Sequence, residues 1–279
     1  MKLSWTSIQQ MRLSELNAGP DELQIKFEDA GQRNAVFQKL EKKLVKEQKN
    51  KLEDLRQIHF RPQTCRLQDQ LVDALVKEKF VQVTTPTIMS KGLLAKMSIT
   101  DDHPLNSQIF WLEKNKCLRP MLAPHLYYVI KDLLRLWEKP IRIFEIGSCF
   151  RKESEGARHS NEFTMLNLCE FGLPSQDREK RLNYLASLIM EVAGIDEYAL
   201  ESETSTVYGS TIDVLAPGDL ELGSGAMGPH HLDEAWKISE TWVGIGFGIE
   251  RLLMAKEKTD HLGKFSRSLS YLDGIRLNL

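Results

Sequence analysis

Apolar side chains recur near helical spacing twice in the first 66 residues: at Trp5, Ile8 and Leu16, and again at Val36, Leu40 and Leu44 inside a strongly charged run. Residues 1–66 are therefore expected to be helical, with no strand between the helices. From Leu67 the pattern changes. LQDQLVDALVKEKF reads as an amphipathic helix leading into FVQVTTPTI, where Phe80, Val81 and Val83 begin a strand that Pro86 interrupts. QIFWL, IRIFEIGSCF, FTMLNLCEF, TVYGSTIDV, DLELGSGAM and WVGIGFG then read as strands, and DREKRLNYLASLIMEVAG as the one long central helix. Strands in succession with few crossover helices predict an α+β fold, a mostly antiparallel sheet flanked by helices, rather than a doubly wound parallel sheet. The expected division is a helical segment over 1–66 and a core over 67–279, without internal repeats or low-complexity tracts.

The chain of 279 residues is 42% hydrophobic, enough to bury a core. Its 37 Lys and Arg against 39 Asp and Glu exclude a uniformly basic coat and an acidic solvating tail. Charge is nevertheless segregated: from Gly31 to Arg66 ten basic and four acidic residues leave a local excess of +6. A run such as KKLVKEQKNK suits a solvated helix face or contact with phosphates. No apolar run approaches the roughly 18 residues of a bilayer span, and MKLSWTSIQQ lacks the apolar stretch of a secretory leader, so a cytoplasmic protein without membrane partners is expected. Cys65, Cys117, Cys149 and Cys169 form no CxxC pair and suit reduced, mostly buried thiols.

Two segments carry candidate chemistry. In FEIGSCFRKES, Arg151 and Glu153 are two apart on an extended segment and project from one face, where a forked guanidinium and a carboxylate can hold an anion beside a donor group. A cross-strand salt bridge is the plainer reading of such a pair. In WVGIGFGIERLLMAKE, Gly244, Gly246 and Gly248 let backbone approach a ligand, or a packed helix, just before a helix carrying Arg251. This spacing is G-x-G-x-G and lacks the dinucleotide-binding pattern. In FTMLNLCEF, alternation puts Phe163, Met165, Asn167 and Cys169 on one face and Thr164, Leu166 and Leu168 on the other. Asn167 is the polar member of its row and needs a partner, because a buried unpaired amide costs roughly 1–3 kcal/mol.

Taken in order, the helix leading to a strand and Pro86, the Arg151 strand, and the glycine strand with its arginine helix resemble the three signature motifs of class II aminoacyl-tRNA synthetases. LRPMLAPHLY, FRKES, EFTMLNLCEFG, VYGSTIDV and ELGSGAMGPHHLDEAW further resemble the catalytic domain of the pyrrolysyl-tRNA synthetase family, from about Leu67 to the C-terminus. The 1–66 segment resembles the tRNA-contacting helices that precede that core.

The resemblance implies ATP-dependent activation of pyrrolysine and its transfer to a cognate, stop-codon-reading tRNA. It gives Arg151 to the α-phosphate of ATP, Arg251 to the γ-phosphate, Phe163 to adenine stacking, and Glu153, His159 and Gly248 to other nucleotide contacts. Glu221 and Ser224 match a Mg²⁺-facing pair of hard oxygen ligands. Three apart, they cannot share a face of a regular strand, so a bulge at Gly223 is expected. The same match gives Asn167 to the substrate's side-chain amide and Tyr208, beside Gly209 on a hinged loop, to its ring. Leu122, Ala123, Leu126, Tyr127, Ile130, Cys169, Ala226, Trp242 and Gly244 are implied to line the amino-acid pocket.

The same likeness implies a homodimer, since motif 1 builds the dimer face in such enzymes. The 28 residues after Arg251 are too few for a C-terminal anticodon domain, so acceptor-stem and body contacts fall to the +6 segment, with a separate tRNA-binding helper protein as a possible partner. His125, Ala226 and His231 depart from the family pattern and bear on pocket width and substrate preference. Adjacent His230 and His231 would face opposite ways on a strand, against a shared metal. Two other readings stay open: a class II synthetase for another bulky apolar amino acid such as phenylalanine, and a synthetase-like RNA-binding protein without catalysis.

Overall fold

The computed structural model describes residues 2–58, 60–152, 160–259 and 261–279. The chain divides into two compact units, residues 1–62 with 268–279, and residues 63–267.

The first unit contains helix α1 (Ser7–Glu15) and the long helix α2 (Ala30–Gln57). Thr6 caps α1 in a reciprocal box with Gln9, and the Asp29 carboxylate accepts the Gln32 N–H at 2.8 Å to start α2. Leu40, Leu44 and Gln48, spaced by one turn, form the buried edge of α2, and Trp5, Leu13, Leu16 and Phe27 complete this core. Gln48 is buried because its amide donates to the Leu16 carbonyl at 3.1 Å. Lys39, Lys42, Lys46, Lys49 and Lys51 point to solvent. A bridge between Leu3 and Phe27 interrupts the all-helical expectation for this stretch.

The C-terminal residues, expected within the 67–279 core, form a small hairpin of Tyr271–Leu272 and Ile275–Arg276 that clusters with the N-terminal helices. Asp273 and Gly274 both take positive φ, the twist that a two-residue hairpin requires. Two such short strands cannot bury themselves. Arg276 pairs with Glu15 at 3.5 Å, and the Gly274 carbonyl accepts from Asn17 at 2.9 Å.

The second unit is built on a seven-stranded sheet. Its strands are β1 (Val81–Gln82), β2 (Ile141–Phe150), β3 (Glu162–Phe171), β4 (Ala199–Ser205), β5 (Gly209–Ala216), β6 (Leu220–Gly228) and β7 (Trp242–Gly248), in spatial order β1-β2-β3-β7-β6-β5-β4. Only β1 with β2 is parallel; every other pair is antiparallel, as expected for an α+β sheet. Helices α3 (Gln63–Lys77), α5 (Arg178–Ala193) and α6 (Ile249–Lys256) share one core with the sheet residues Phe144, Leu166, Leu168, Val243, Ile245 and Phe247. The alternate residues of the strands turn to the other side, where α4 (Ala123–Leu136) packs with a three-stranded sheet (Ile88–Ser90, Trp111–Glu113, Lys116–Leu118) over a second core.

Three local expectations differ. A 14-residue helix, α4, stands where the sequence pattern predicts no second long helix; Pro124 occupies its first turn and a strongly one-sided apolar face follows. QIFWL is only partly extended, because Pro104–Gln108 form a 3₁₀ turn. TVYGSTIDV is not one strand: residues 206–208 form the turn between β4 and β5, where the Ser205 hydroxyl accepts the N–H groups of Val207 and Tyr208 at 3.2 and 3.3 Å.

Candidate active site

A cavity of about 840 Å³ opens on the sheet face that carries alternate residues of β3, β5, β6 and β7. Register puts Glu145, Asn167, Gly246, Ser224 and Asp213 side by side across four strand pairs, so five distant segments meet in one transverse row. Phe163, Met165, Asn167 and Cys169 all line the cavity, as alternation along β3 requires.

At one end stand two guanidinium groups. Arg151 follows β2; its Nε donates to the Pro120 carbonyl at 2.9 Å and its guanidinium lies 5.3 Å from the centre of the Phe163 ring. Arg251, in the first turn of α6, donates to the Glu221 carbonyl at 3.1 Å and lies 3.7 Å from the Glu221 carboxylate. The neighbouring Glu250 is buried and takes the Thr164 N–H on both oxygens, at 2.9 and 3.0 Å. That bond fastens the start of α6 to β3, and with it the carriers of Arg251 and Phe163. Burial raises the Glu250 pKa, only partly offset by the Thr164 N–H.

Arg151 depends in turn on a buried ion pair. Arg119 and Glu145, whose side chains are 5% and 3% exposed, meet at 2.7 Å. Arg119 also donates to the Ser148 carbonyl at 2.7 Å and the Thr85 hydroxyl at 3.0 Å, while its own carbonyl accepts the Phe150 N–H at 2.9 Å. Arg119 and Pro120 thus hold both the end of β2 and the Arg151 side chain. Removing one partner leaves a buried unpaired charge, so Glu145→Ala is expected to lower unfolding stability by about 3–5 kcal/mol in a urea titration. A loss under about 1 kcal/mol would show the pair to be dispensable.

Between β5 and β6 the register passes from Val214–Gly223 to Leu215–Glu221, which leaves Leu222 as the extra residue of a bulge beside Gly223. Glu221 and Ser224 thereby both line the cavity. The Ser224 hydroxyl donates to Asp213 at 2.5 Å, which leaves its oxygen lone pairs available. Among the described residues no group of three His, Cys, Asp or Glu side chains is arranged to hold a metal ion. A protein-only cage is thus missing there, whereas two hard oxygens facing a cavity fit an ion that takes most of its ligands from phosphate and water.

At the other end the walls are Ala123, Leu126, Tyr127, Cys169, Ala226 and Trp242, with Tyr208 and Gly244 also on the surface. Asn167 lies on the floor and makes no side-chain hydrogen bond to any described residue. A Cβ at Gly246 would sit 2.5 Å from the Asn167 amide oxygen, so glycine there leaves room for the amide. Burial raises the Cys169 thiol and the Tyr208 phenol above their ordinary pKa ranges and Cys149 to about 12, so the Cys169 and Tyr208 side chains stay neutral at physiological pH.

Leu122 and Ile130, expected in the pocket, are fully buried and do not reach the cavity: Leu122 sits at the start of α4 and Ile130 faces the core beneath it. His125 is likewise absent from the lining and instead meets the Thr85 hydroxyl at 3.2 Å, with its pKa lowered by burial and by Arg119. His230 and His231 lie on a loop, with ring centres 4.1 Å apart, so the strand argument about their opposite faces fails. Glu153 and His159 lie outside the described residues. Sequence reasoning missed Asp213, Glu250 and Met121, which line the cavity too; strand alternation from Thr211 to Asp213 was the available signal for the first.

Residues 49–273 match the class II core domain (F) of the tRNA synthetases. A crystal structure of pyrrolysyl-tRNA synthetase from Desulfitobacterium hafniense superposes with a TM-score of 0.93 at 56% identity, covering 99% of both chains. The chain belongs to the pyrrolysyl-tRNA synthetases, within class II. More distant likenesses are a lysine–tRNA ligase of Psychrobacter sp. (strain PRwf-1), 27% identical over 202 residues, and a phenylalanine–tRNA ligase alpha subunit of Thermosynechococcus vestitus, 28% identical over 176. The matches cover 67% and 60% of this chain but only 36% and 51% of those two relatives, so the chain spans about a third to a half of their length. A pyrrolysyl-tRNA synthetase core accounts for the antiparallel sheet and for the order of the three motif segments along it.

Proposed function

We propose that the chain activates pyrrolysine with ATP and transfers it to tRNA. One observation carries this reading: a single cavity presents two guanidiniums at one end and, at the other, a lone amide among apolar walls. In this reading the amino-acid carboxylate attacks the α-phosphorus of ATP; a carboxylate-to-phosphorus bond forms as the bond to pyrophosphate breaks. The adenylate then passes its acyl group to a terminal ribose hydroxyl of tRNA. The carboxylate is already ionised at neutral pH, so the first step needs no general base, only alignment and charge neutralisation. Arg151 serves the α-phosphate and Arg251 the γ-phosphate, with adenine on Phe163. Mg²⁺, when bound through Glu221 and Ser224, neutralises phosphate charge.

Asn167 pairs with the side-chain amide of the substrate, and Tyr208 covers its ring. The exposed lysines of α2 supply contacts to tRNA phosphates, the second possibility left open for that charged run. Among the described residues no helix is long and apolar enough to cross a membrane. A homodimer and a helper protein for tRNA remain parts of the same proposal. Arg151, Arg251, Glu221 and Ser224 on one cavity weigh against a non-catalytic RNA-binding role. ATP–pyrophosphate exchange with pyrrolysine, phenylalanine and lysine is the test: exchange is expected with pyrrolysine, at least about a hundredfold above the others in kcat/KM. Comparable exchange with phenylalanine would favour the rival synthetase, and none with any amino acid the non-catalytic reading.

A further inference from the structure

Asp233 has no part in the roles given so far. Its side chain is buried, yet among the described residues it forms no ion pair. Instead its carboxyl group accepts three hydrogen bonds: Trp242 Nε1 at 2.8 Å and the His230 N–H at 2.7 Å on one oxygen, and the Tyr127 hydroxyl at 3.2 Å on the other. The donors belong to β7, the loop after β6, and α4. Tyr127 and Trp242 are two walls of the amino-acid end of the cavity.

Ring packing makes those walls stiff. Tyr127 stacks on Trp236 at 5.3 Å and meets Trp242 edge-on at 5.8 Å, while Trp242 stacks on Phe171 at 5.5 Å. Stacking alone leaves a ring free to slide in its plane. A hydrogen bond at the polar tip removes that freedom. A Cβ at Gly228 would lie 1.8 Å from Trp242 Nε1, so glycine there leaves room for the indole edge that donates to Asp233. His230 extends the arrangement. Its Nδ1 accepts the Leu232 N–H at 3.4 Å, which leaves Nε2 as the protonated nitrogen, and Nε2 donates to the Tyr208 carbonyl. One carboxyl group therefore reaches three sides of the same space, including the turn between β4 and β5.

We propose that Asp233 is a specificity-determining positioning residue: by holding Tyr127, Trp242 and, through His230, the Tyr208 turn, it sets the shape of the cavity end that receives a bulky amino-acid side chain. This deepens the functional reading above and rests on it.

The test compares the wild-type enzyme with Asp233→Asn, Asp233→Leu and His230→Ala, by pyrophosphate exchange with pyrrolysine and with an N-ε-acyl-lysine bearing a smaller acyl group. Asparagine can keep all three bonds, its oxygen accepting from Trp242 and His230 and its amide donating to the Tyr127 oxygen. Leucine is of similar size and accepts none. Expected for Asp233→Leu are an amino-acid KM raised at least about tenfold, an ATP KM within about twofold of wild type, and a pyrrolysine preference reduced about tenfold. Asp233→Asn is expected to restore all three values to within about threefold.

If the leucine variant does not fold, His230→Ala decides: it keeps Asp233 but frees the Tyr208 turn, and is expected to raise the amino-acid KM at least about threefold with the ATP KM unchanged. The proposal is overturned by an unchanged amino-acid KM in the variant that decides, by parallel rises in both KM values, or by an asparagine variant as impaired as the leucine one. Wild-type enzyme that does not exchange with pyrrolysine sinks the functional reading and this proposal together; active wild-type enzyme with an indifferent variant sinks this proposal alone.

Discussion

Arg151→Ala is expected to lower kcat/KM for pyrrolysine-dependent pyrophosphate exchange by at least about a hundredfold, the usual cost of losing one preorganised donor to transition-state charge. The expectation rests on how the guanidinium is held. Its Nε is committed to the Pro120 carbonyl and its plane lies near the Phe163 ring, so two contacts fix its orientation before any nucleotide arrives. Charge on the α-phosphoryl group is greatest during displacement, so the loss should fall mainly on kcat rather than on ATP KM. Lysine at this position restores the charge but not the fork, and should recover only part of the rate. Exchange within about threefold of wild type in the alanine variant would remove Arg151 from the reaction.

The second large effect concerns selectivity. Asn167→Leu nearly preserves side-chain volume on the cavity floor and removes its amide. Because that amide has no partner among the described residues, a bound substrate is its remaining source of hydrogen bonds besides water. Losing such a pair costs roughly 1–3 kcal/mol, a factor of about 5 to 150. The ratio of kcat/KM for pyrrolysine over phenylalanine should therefore fall by about ten- to a hundredfold. An unchanged ratio would show that Asn167 does not read the substrate. Far-ultraviolet circular dichroism should be unaltered, since the Asn167 side chain contributes no hydrogen bond to the described fold and the backbone pairing of β3 does not depend on it.

Arg151 and Asn167 are both visible in the sequence. Alternation is a local property, so FTMLNLCEF alone placed Phe163, Met165, Asn167 and Cys169 on one face. Once the resemblance made Glu221 and Ser224 a pair facing one ion, their three-residue spacing required an irregular strand, and the register skips at Leu222. The amphipathic stretch before β1 and the long helix before β4 were legible from their periods. Elsewhere tertiary packing overrides local pattern. Leu122 precedes α4 and Ile130 lies within it beside the wall residues Ala123, Leu126 and Tyr127, but resemblance does not say which side of α4 meets the cavity. The C-terminal hairpin belongs with residues 1–62 and not with the core, and nothing in its ten or so residues names those partners.

Alternation thus determined which side chains of β3 share a face, the succession of strands with few crossover helices that the sheet is mostly antiparallel, and the residues themselves which segments carry arginine, glycine and amide chemistry. Convergence was beyond them. Glu145, Asn167, Gly246, Ser224 and Asp213 become neighbours only through strand order and register across the sheet, and Asp233 acquires its three donors only once β7, α4 and the loop after β6 have packed together. Periodicity is written within about a dozen residues of chain, whereas a cavity is made by contacts between residues tens to a hundred positions apart, which no local pattern encodes.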